Sequence, residues 1–421
     1  MLRVRWRAAI RSSRVAVSLA PRPAGRVHIV GAGPVGLFLA ALLQSVDGYR
    51  VRLYERRPEY TRTRMVALAP YLVADSIESY KADMLDGQNV EAIFEPSELE
   101  TRLAYRRSVD ADLRGLLLEW TRGFVPLKTI ERSLSELIEA RATGTVERVA
   151  GEVSAEQAIA MVEPGDILVD CTGTRSVLRD LLVPGHDLDA SGRNTTGVRL
   201  EYALVVTFLY DQHYECNEYC KYFKNVENPE YKFIPAVQRT FYDGSISHVT
   251  GIITISQPEF EAMPRSFDGA WLRENFPSVA ASMDRFIDKV REETHGKVAS
   301  DLAIVRIPLD VYHARNATSR AWHRSGIEHP LARTPAFLLG DSAIGSPYFQ
   351  SISLGLECAF FLAGHIANRD LSVDEMFDRY EAFMYRQWLR VYMRTQTIHH
   401  NKELLQSVGD DLGLLAKLHV Y

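Results

Sequence analysis

Residues 27–58 read VHIVGAGPVGLFLAALLQSVDGYRVRLYERRP. An apolar run, Val27 to Val30, enters Gly31-x-Gly33-x-x-Gly36 directly, which is how a buried strand turns into a phosphate-binding loop. The three glycines act differently. Gly31 makes the tight turn, Gly33 lets backbone approach a pyrophosphate, and Gly36 lets helix and strand pack closely. Pro34 and Val35 open the helix, proline being tolerated where the first-turn N–H has no partner anyway. Leu37 to Leu43 continues as that helix, and Arg50 to Glu55 alternates as a second strand. The helix N-terminus offers unpaired N–H groups and a positive dipole end to phosphates. Glu55, closing the second strand, can accept two hydrogen bonds from a ribose diol, although its distance from the loop is slightly above the usual. The unit predicts a bound dinucleotide. NAD and FAD share it, so the glycines do not choose between them.

A chain of 421 residues predicts two domains. Hydrophobic residues at 46% and charged residues at 24% are the proportions of a globular protein. A net charge of -5 argues against a nucleic-acid partner. The longest apolar runs, such as Cys358 to Ala367, reach about half a bilayer span, so no membrane span is expected. Four scattered cysteines (Cys171, Cys216, Cys220, Cys358) imply a reducing compartment and a cytoplasmic location. Residues 1–26 (MLRVRWRAAIRSSRVAVSLAPRPAGR) are Arg-rich without an acid. They read either as a basic extension outside the fold or as an organelle-import segment.

Further on, helical patterns cover Tyr71–Met84 and Thr129–Ala140, the latter with Ile130, Leu134, Leu137 and Ile138 on one face. Asp166 to Asp170 is a short buried strand ending in DCTGTRSVLR (170–179), and 185–197 has linker composition. From Arg199 the pattern changes to β-branched and aromatic runs: Arg199–Tyr210, Phe233–Tyr242, Ser247–Ile255 and Leu302–Leu309. Asp243-Gly244 is placed as a hairpin turn. The chain ends in two helical stretches, Val373–His399 and Lys402–Leu418.

A second decisive stretch is FLLGDSAIGSPYFQSISLGLECA (337–359). The strand Phe337–Leu339 stops at Gly340-Asp341, where a carboxylate can meet the ribityl chain of a flavin. Taken with GAGPVG…ERRP and DCTGTRSVLR in the same order, it resembles the FAD-dependent monooxygenases of the p-hydroxybenzoate hydroxylase type. That superfamily also contains flavin halogenases and geranylgeranyl reductases. The resemblance spans about Val27 to Ala363. It implies an α/β, Rossmann-like FAD-binding domain with an inserted β-rich substrate domain and a helical C-terminal segment over the junction. The corresponding divisions are 1–25 for the extension, 26–197 with 310–372 for FAD, 198–309 for substrate and 373–421 for the helices. By the same resemblance Gly31, Gly33 and Gly36 bind the pyrophosphate and Glu55 holds the ribose, flanked by Arg56. Asp341 contacts the ribityl, and Arg132 is the helix arginine that reaches the FAD, its following leucine being one position out of register.

Three departures from the family pattern stand out. Thr172-Gly173 replaces Asp-Gly, as in the halogenase and reductase branches, so that a reductase partner competes with NAD(P)H as the source of electrons. Ile344 replaces a His, and Ile352 replaces a Gly of the halogenase-like version Pro347-x-Phe349-x-Ser351. The halogenase motif W-x-W-x-I-P is absent: none of Trp6, Trp120, Trp271, Trp322 and Trp388 is two residues from another.

The expected function is therefore an FAD-dependent monooxygenase that uses O2 and a flavin C4a-hydroperoxide on an organic, aromatic small molecule. A geranylgeranyl-reductase-like dehydrogenase and a non-enzymatic flavoprotein are the alternatives. No catalytic side chain is named, since placement and exclusion of water are the protein's part. His213-x-x-Cys216-x-x-x-Cys220 lacks a fourth ligand, and no metal is assigned. The aromatics Tyr210, Tyr214, Tyr219, Tyr222, Phe223, Tyr231 and Phe233 read equally as sheet packing or as a substrate wall.

Overall fold

The computed structural model describes residues 25–46, 48–62, 65–84, 103–141, 144–211, 233–240, 247–294, 298, 300, 302–346 and 351–418. Strand β1 (Arg26–Val30), helix α1 (Pro34–Leu43) and strand β2 (Arg50–Glu55) form the expected βαβ unit. An excursion follows, carrying the short antiparallel pair β3 (Met65–Ala67) and β4 (Phe124–Pro126) and helix α2 (Leu127–Ala140). The chain returns through β5 (Val146–Ala150) and β6 (Ile167–Asp170). β6 is buried along its whole length, which is why it reads as an uninterrupted apolar run and not as an alternation.

The second sheet comprises β7 (Thr195–Tyr210), β8 (Phe233–Thr240), β9 (Ser247–Ile255), β10 (Ser266–Asp268) and β11 (Ala303–Ala314), in the order β10-β11-β7-β9-β8. All its pairings are antiparallel, and helix α3 (Pro277–Thr294) belongs to its side of the molecule. Its own apolar core gathers Leu204, Val206, Phe208 and Tyr210 against Leu272, Val279 and Met283. Tyr210 is fully buried there, on the packing side of the two readings left open for it.

The chain then re-enters the first sheet as β12 (Ala336–Leu338). With β12 in place the parallel sheet has the order β12-β6-β1-β2-β5. The next strand, β13 (Ile344–Gly345), pairs with β11 and so ties the two sheets together. Helices α4 (Ser351–Ala367) and α5 (Val373–Leu418) finish the fold. α5 is one continuous helix of 46 residues, where two were expected. It packs on both layers: Phe377 and Tyr380 meet Phe337 of β12, while the Trp388 ring lies tilted against His313 of β11, with centroids 4.3 Å apart. Glu381 of α5 also accepts hydrogen bonds from the Ala317 and Thr318 backbone N–H groups, fixing the link between β11 and β12.

Other boundaries moved for local reasons. The Tyr71–Met84 pattern splits into a 3-10 turn, Pro70–Val73, and a helix, Ile77–Met84. Gly25, just before β1, is tied to β2, its carbonyl accepting from Arg50 N–H at 3.3 Å. Asp243-Gly244 lies outside the described residues, but β8 and β9 pair as a hairpin requires, with Thr240 opposite Ser247.

One buried polar pair ties the near end of the parallel sheet. His28 on β1 is fully buried, with Nε2 3.1 Å from Asp166 Oδ2 and Nδ1 3.0 Å from the Tyr54 hydroxyl. An ionised carboxylate only accepts, so Nε2 carries the proton and Nδ1 accepts from Tyr54. Burial lowers the His28 pKa below its ordinary 6.5, against the opposing pull of Asp166. The unfolded chain therefore takes up a proton before the folded chain does, and this contribution to stability, complete above pH 6.5, is lost as pH falls below it. His28→Gln, which cannot titrate, is expected to make the fall in melting temperature between pH 7 and 5 shallower; an unchanged slope would refute the assignment.

Candidate functional site

The C-terminal ends of β1, β2, β6 and β12 open onto one cavity of about 620 Å³. In an open parallel sheet this is the ligand-binding edge, and here it lies where the chain departs from β1 to β2 on one side and β6 flanks it on the other.

The glycine loop forms one wall. Gly31 has φ +101°, and a Cβ there would meet the Cys171 carbonyl oxygen at 2.7 Å. A Cβ on Gly36 would lie 2.0 Å from the Gly31 carbonyl oxygen and 3.2 Å from Cys171 Cβ. Gly33 differs: its missing side chain faces open space with only Arg62 Nη2 nearby, at 3.6 Å. Gly33 also N-caps α1 without any side-chain cap, and no acid occupies the first turn. The first N–H groups of α1 are thus left for a ligand, as an anion site requires. Gly31, Gly33, Pro34 and Val35 line the cavity, while Gly36 is the buried packing contact. Cys171 closes the wall; burial pushes its thiol pKa well up, so it stays protonated.

The second wall is a charge network. Glu55, at the end of β2, accepts from Arg57 N–H at 2.9 Å, Arg57 Nε at 3.0 Å and Arg57 Nη2 at 2.9 Å. Burial would raise the Glu55 pKa, but these bonds and the Arg57 charge outweigh it and hold the carboxyl below its ordinary value. Arg57 Nη2 also donates to Glu131 at 3.1 Å, and Arg62 donates to Glu131 through Nε and Nη2. Glu131 is fully buried on α2. Its neighbour Arg132 is exposed and does not line the cavity, being one residue out of phase with the face of α2 that meets the network. Arg56 borders the cavity with its guanidinium on Glu152. Sequence reasoning missed Arg57, Arg62 and Glu131, for which the only local signal is the cluster of arginines after β2.

The floor is built around Asp170, the last residue of β6. This fully buried carboxylate accepts from Thr172 N–H at 2.8 Å, Thr172 Oγ1 at 2.6 Å, Ser176 Oγ at 2.5 Å and Leu178 N–H at 3.0 Å. Ser342 Oγ reaches it from the β12 loop at 3.2 Å, and Gly173 N–H donates to Ser342 Oγ. Arg179 Nε donates to the Ser342 carbonyl at 2.8 Å, with its guanidinium over the Tyr312 ring. Tyr312, on β11, donates its hydroxyl to the Asp341 carbonyl at 2.7 Å, and burial pushes that phenol up to about 12. The floor thus brings Thr172, Gly173 and Asp341 to the cavity, which Ser351 and Ile352 of α4 also line. Ile344 is buried in β13 and pairs with His313.

The donor set fits a dinucleotide diphosphate and its sugars: a side-chain-free backbone at Gly33, an uncapped helix start, an arginine above it and carboxylates at two strand ends. His213, Cys216, Cys220, Pro347 and Phe349 lie outside the described residues. Among the described residues no cluster of metal-ligating side chains occurs and no helix is long and apolar enough to cross a membrane.

Comparison with known proteins agrees with this geometry. Residues 29–62 match the NAD(P)-binding Rossmann-like domain family. Tetracycline destructase Tet(51) shares the fold at a TM-score of 0.50, with 11% identity over 93% of this chain and 98% of that one. The aromatic hydroxylase CabE from angucycline biosynthesis is similar at 0.46, with 16% identity over 93% of this chain and 73% of that one. The Diels-Alderase PyrE3 of pyrroindomycin biosynthesis is similar at 0.47, with 14% identity over 91% and 77%. No curated protein sequence matches. At these identities the likeness concerns the fold, and the fold implied by the sequence blocks is the fold found.

Since a Cβ at position 36 would strike backbone, which cannot rotate away, Gly36→Ala is expected to destabilise by about 3 kcal/mol, the upper end for overpacking. Denaturant unfolding measures this; an unchanged midpoint would show that α1 and the loop have room to separate.

Proposed function

We propose that this chain is an FAD-dependent oxidoreductase of the monooxygenase type, acting on an organic, aromatic small molecule. The observation that carries the reading is one cavity lined both by the glycine loop with Arg62 and by Asp341 with the start of α4. The fold shared with tetracycline destructase Tet(51) supports an organic small molecule as substrate.

In this reading Gly31 and Gly33 admit the diphosphate to the start of α1, with Gly36 setting how closely α1 approaches. Arg62 engages Nε and part of Nη2 with Glu131, leaving Nη1 for a phosphate oxygen. Glu55 takes a ribose hydroxyl with the acceptor capacity Arg57 leaves it, and Arg56 flanks it. Asp341 holds the ribityl. Arg132, which points away from the cavity, has no part in the reading. When bound, FAD supplies the two-electron chemistry and the activation of oxygen. The chain's own residues bind, orient and exclude water: Val35, Ile352 and Cys171 provide apolar wall, and Ile352 narrows the end where the resemblance expects a glycine.

The purified protein should carry FAD in equimolar amount. Replacing Asp341 by Ala is expected to weaken FAD binding by roughly 1.5–3 kcal/mol, the worth of a charge-assisted hydrogen bond. A fluorescence titration with the same affinity for both proteins would remove Asp341 from the site.

The electron source follows from Thr172. Its hydroxyl is committed to Asp170, and a threonine stands where the monooxygenase pattern has an acid. Slow reduction by NADH or NADPH alone is expected, with turnover restored by a separate reductase or by chemically reduced FAD. Anaerobic stopped-flow absorbance decides it: reduction by NAD(P)H at the rate of turnover, without a partner, overturns this part of the reading.

A further inference from the structure

The chain leaves the parallel sheet for the second sheet through residues 171–194 and returns through 315–335. Both crossings line a second cavity, of about 570 Å³. His186 and Asp187 border it from the first crossing, and Arg315, Asn316, Arg320 and Arg324 from the second. None of these residues borders the cavity of the glycine loop.

Asn194, which is fully buried, stitches the crossings together. Its Nδ2 donates to the Arg179 and Asn316 carbonyls, each at 2.9 Å, and its Oδ1 accepts from Asn316 N–H at 3.0 Å. Its carbonyl accepts from Arg315 N–H at 3.1 Å. The backbone around Arg315 is thus fixed. Its guanidinium, by contrast, is exposed and has no hydrogen-bond partner among the described residues.

The other two arginines are partly committed. Arg320 Nη1 donates to Asp378 of α5 at 3.0 Å, and its Nε and Nη2 have no partner among the described residues. Arg324 spends Nε and Nη2 on Asp374 and Asp378, and its Nη1 is left over. The two α5 carboxylates therefore answer Arg320 and Arg324, while Arg315 adds a cation that no hydrogen-bonded carboxylate answers. Asp187 is the one acid in the lining, and the group beside it is His186, whose Nε2 stands 3.8 Å away, beyond hydrogen-bond reach. The lining thus combines spare guanidinium donors with a carboxylate that can only accept. The spare N–H groups on three arginines exceed what the two oxygens of a carboxylate take up, and they suit the three oxygens of a phosphate. Asp187 suits the hydroxyl groups of a sugar.

We infer that this cavity binds a phosphorylated sugar, with Arg315, Arg320 and Arg324 on the phosphate and Asp187 accepting from hydroxyls. Its volume of about 570 Å³ falls within the usual size of small-molecule sites, roughly 300–1,000 Å³. A ligand there touches both crossings and fastens one to the other. The site is separate from the dinucleotide cavity, and the inference does not rest on the proposed function.

Isothermal titration calorimetry on the full-length protein, with FAD in excess, tests it with ribose 5-phosphate, inorganic phosphate and ribose. Ribose 5-phosphate is expected to bind, inorganic phosphate to bind more weakly, and ribose to give no heat. Arg315→Met is expected to weaken both phosphates by about tenfold or more, as loss of a charge-assisted hydrogen bond implies. Asp187→Asn is expected to weaken ribose 5-phosphate by about fivefold and inorganic phosphate not at all. If Arg315→Met does not fold, Arg315→Lys replaces it, keeping the charge but not the fork, with a smaller loss expected. No binding of either phosphate, or undiminished binding in the folded Arg315 variant, overturns the site. Equal affinity for ribose 5-phosphate and inorganic phosphate, or for ribose and its phosphate, overturns the ligand class. Phosphate binding lost in Arg62→Met but kept in Arg315→Met puts the anion at the glycine loop and refutes the inference.

Discussion

The cavity depends on one carboxylate that never faces it. Asp170 ends a strand with no exposed surface, and the hydrogen bonds it accepts come from two loops far apart in sequence. A buried carboxylate is tolerable only when its acceptor positions are filled. The Thr172–Leu178 turn must therefore wrap around it, and Ser342 must approach from the other side. Once those demands are met, Cys171, Thr172 and Gly173 stand against the glycine loop, and Asp341 faces the cavity. Tyr312 extends the arrangement to the second sheet through a single phenol hydrogen bond.

The opposite wall obeys a similar rule with the charges distributed differently. Glu131 is buried, so it needs counter-charge, and Arg57 and Arg62 supply it from the segment after β2. Arg57 is shared with Glu55, while Arg62 keeps donors in reserve above Gly33. A diphosphate entering there meets an arginine whose orientation is already fixed, which reduces the ordering cost of binding.

How far the sequence could reveal this depends on how local each signal was. The βαβ unit and β9 were legible because strand, turn and helix follow one another within a few residues of characteristic composition. β5 was not: VERVA is half-exposed at the sheet edge, so neither alternation nor an apolar run marks it. The last helix was expected as two, divided at residues 400–401, yet α5 runs through them without a break. On α2 the sequence offered Arg132 for a ligand contact, whereas the side chain in the network is Glu131. A fully buried glutamate cannot be told from a solvated one until its partners, about seventy positions away, are placed beside it. The insertion of the second sheet was visible as a change of periodicity.

The pairing of β12 with β6 has a consequence for the newborn chain. β6 is an interior strand of the finished sheet, flanked by β1 and β12, but it is synthesised long before β12, with strands β7 to β11 made in between. At common elongation rates of about 5–20 residues per second, its apolar edge waits roughly ten to thirty seconds for its neighbour. During that interval an unpaired, hydrophobic strand edge is open to the wrong partner. Chaperone dependence and losses to inclusion bodies on rapid expression would follow from strand order alone, whatever the stability of the completed molecule.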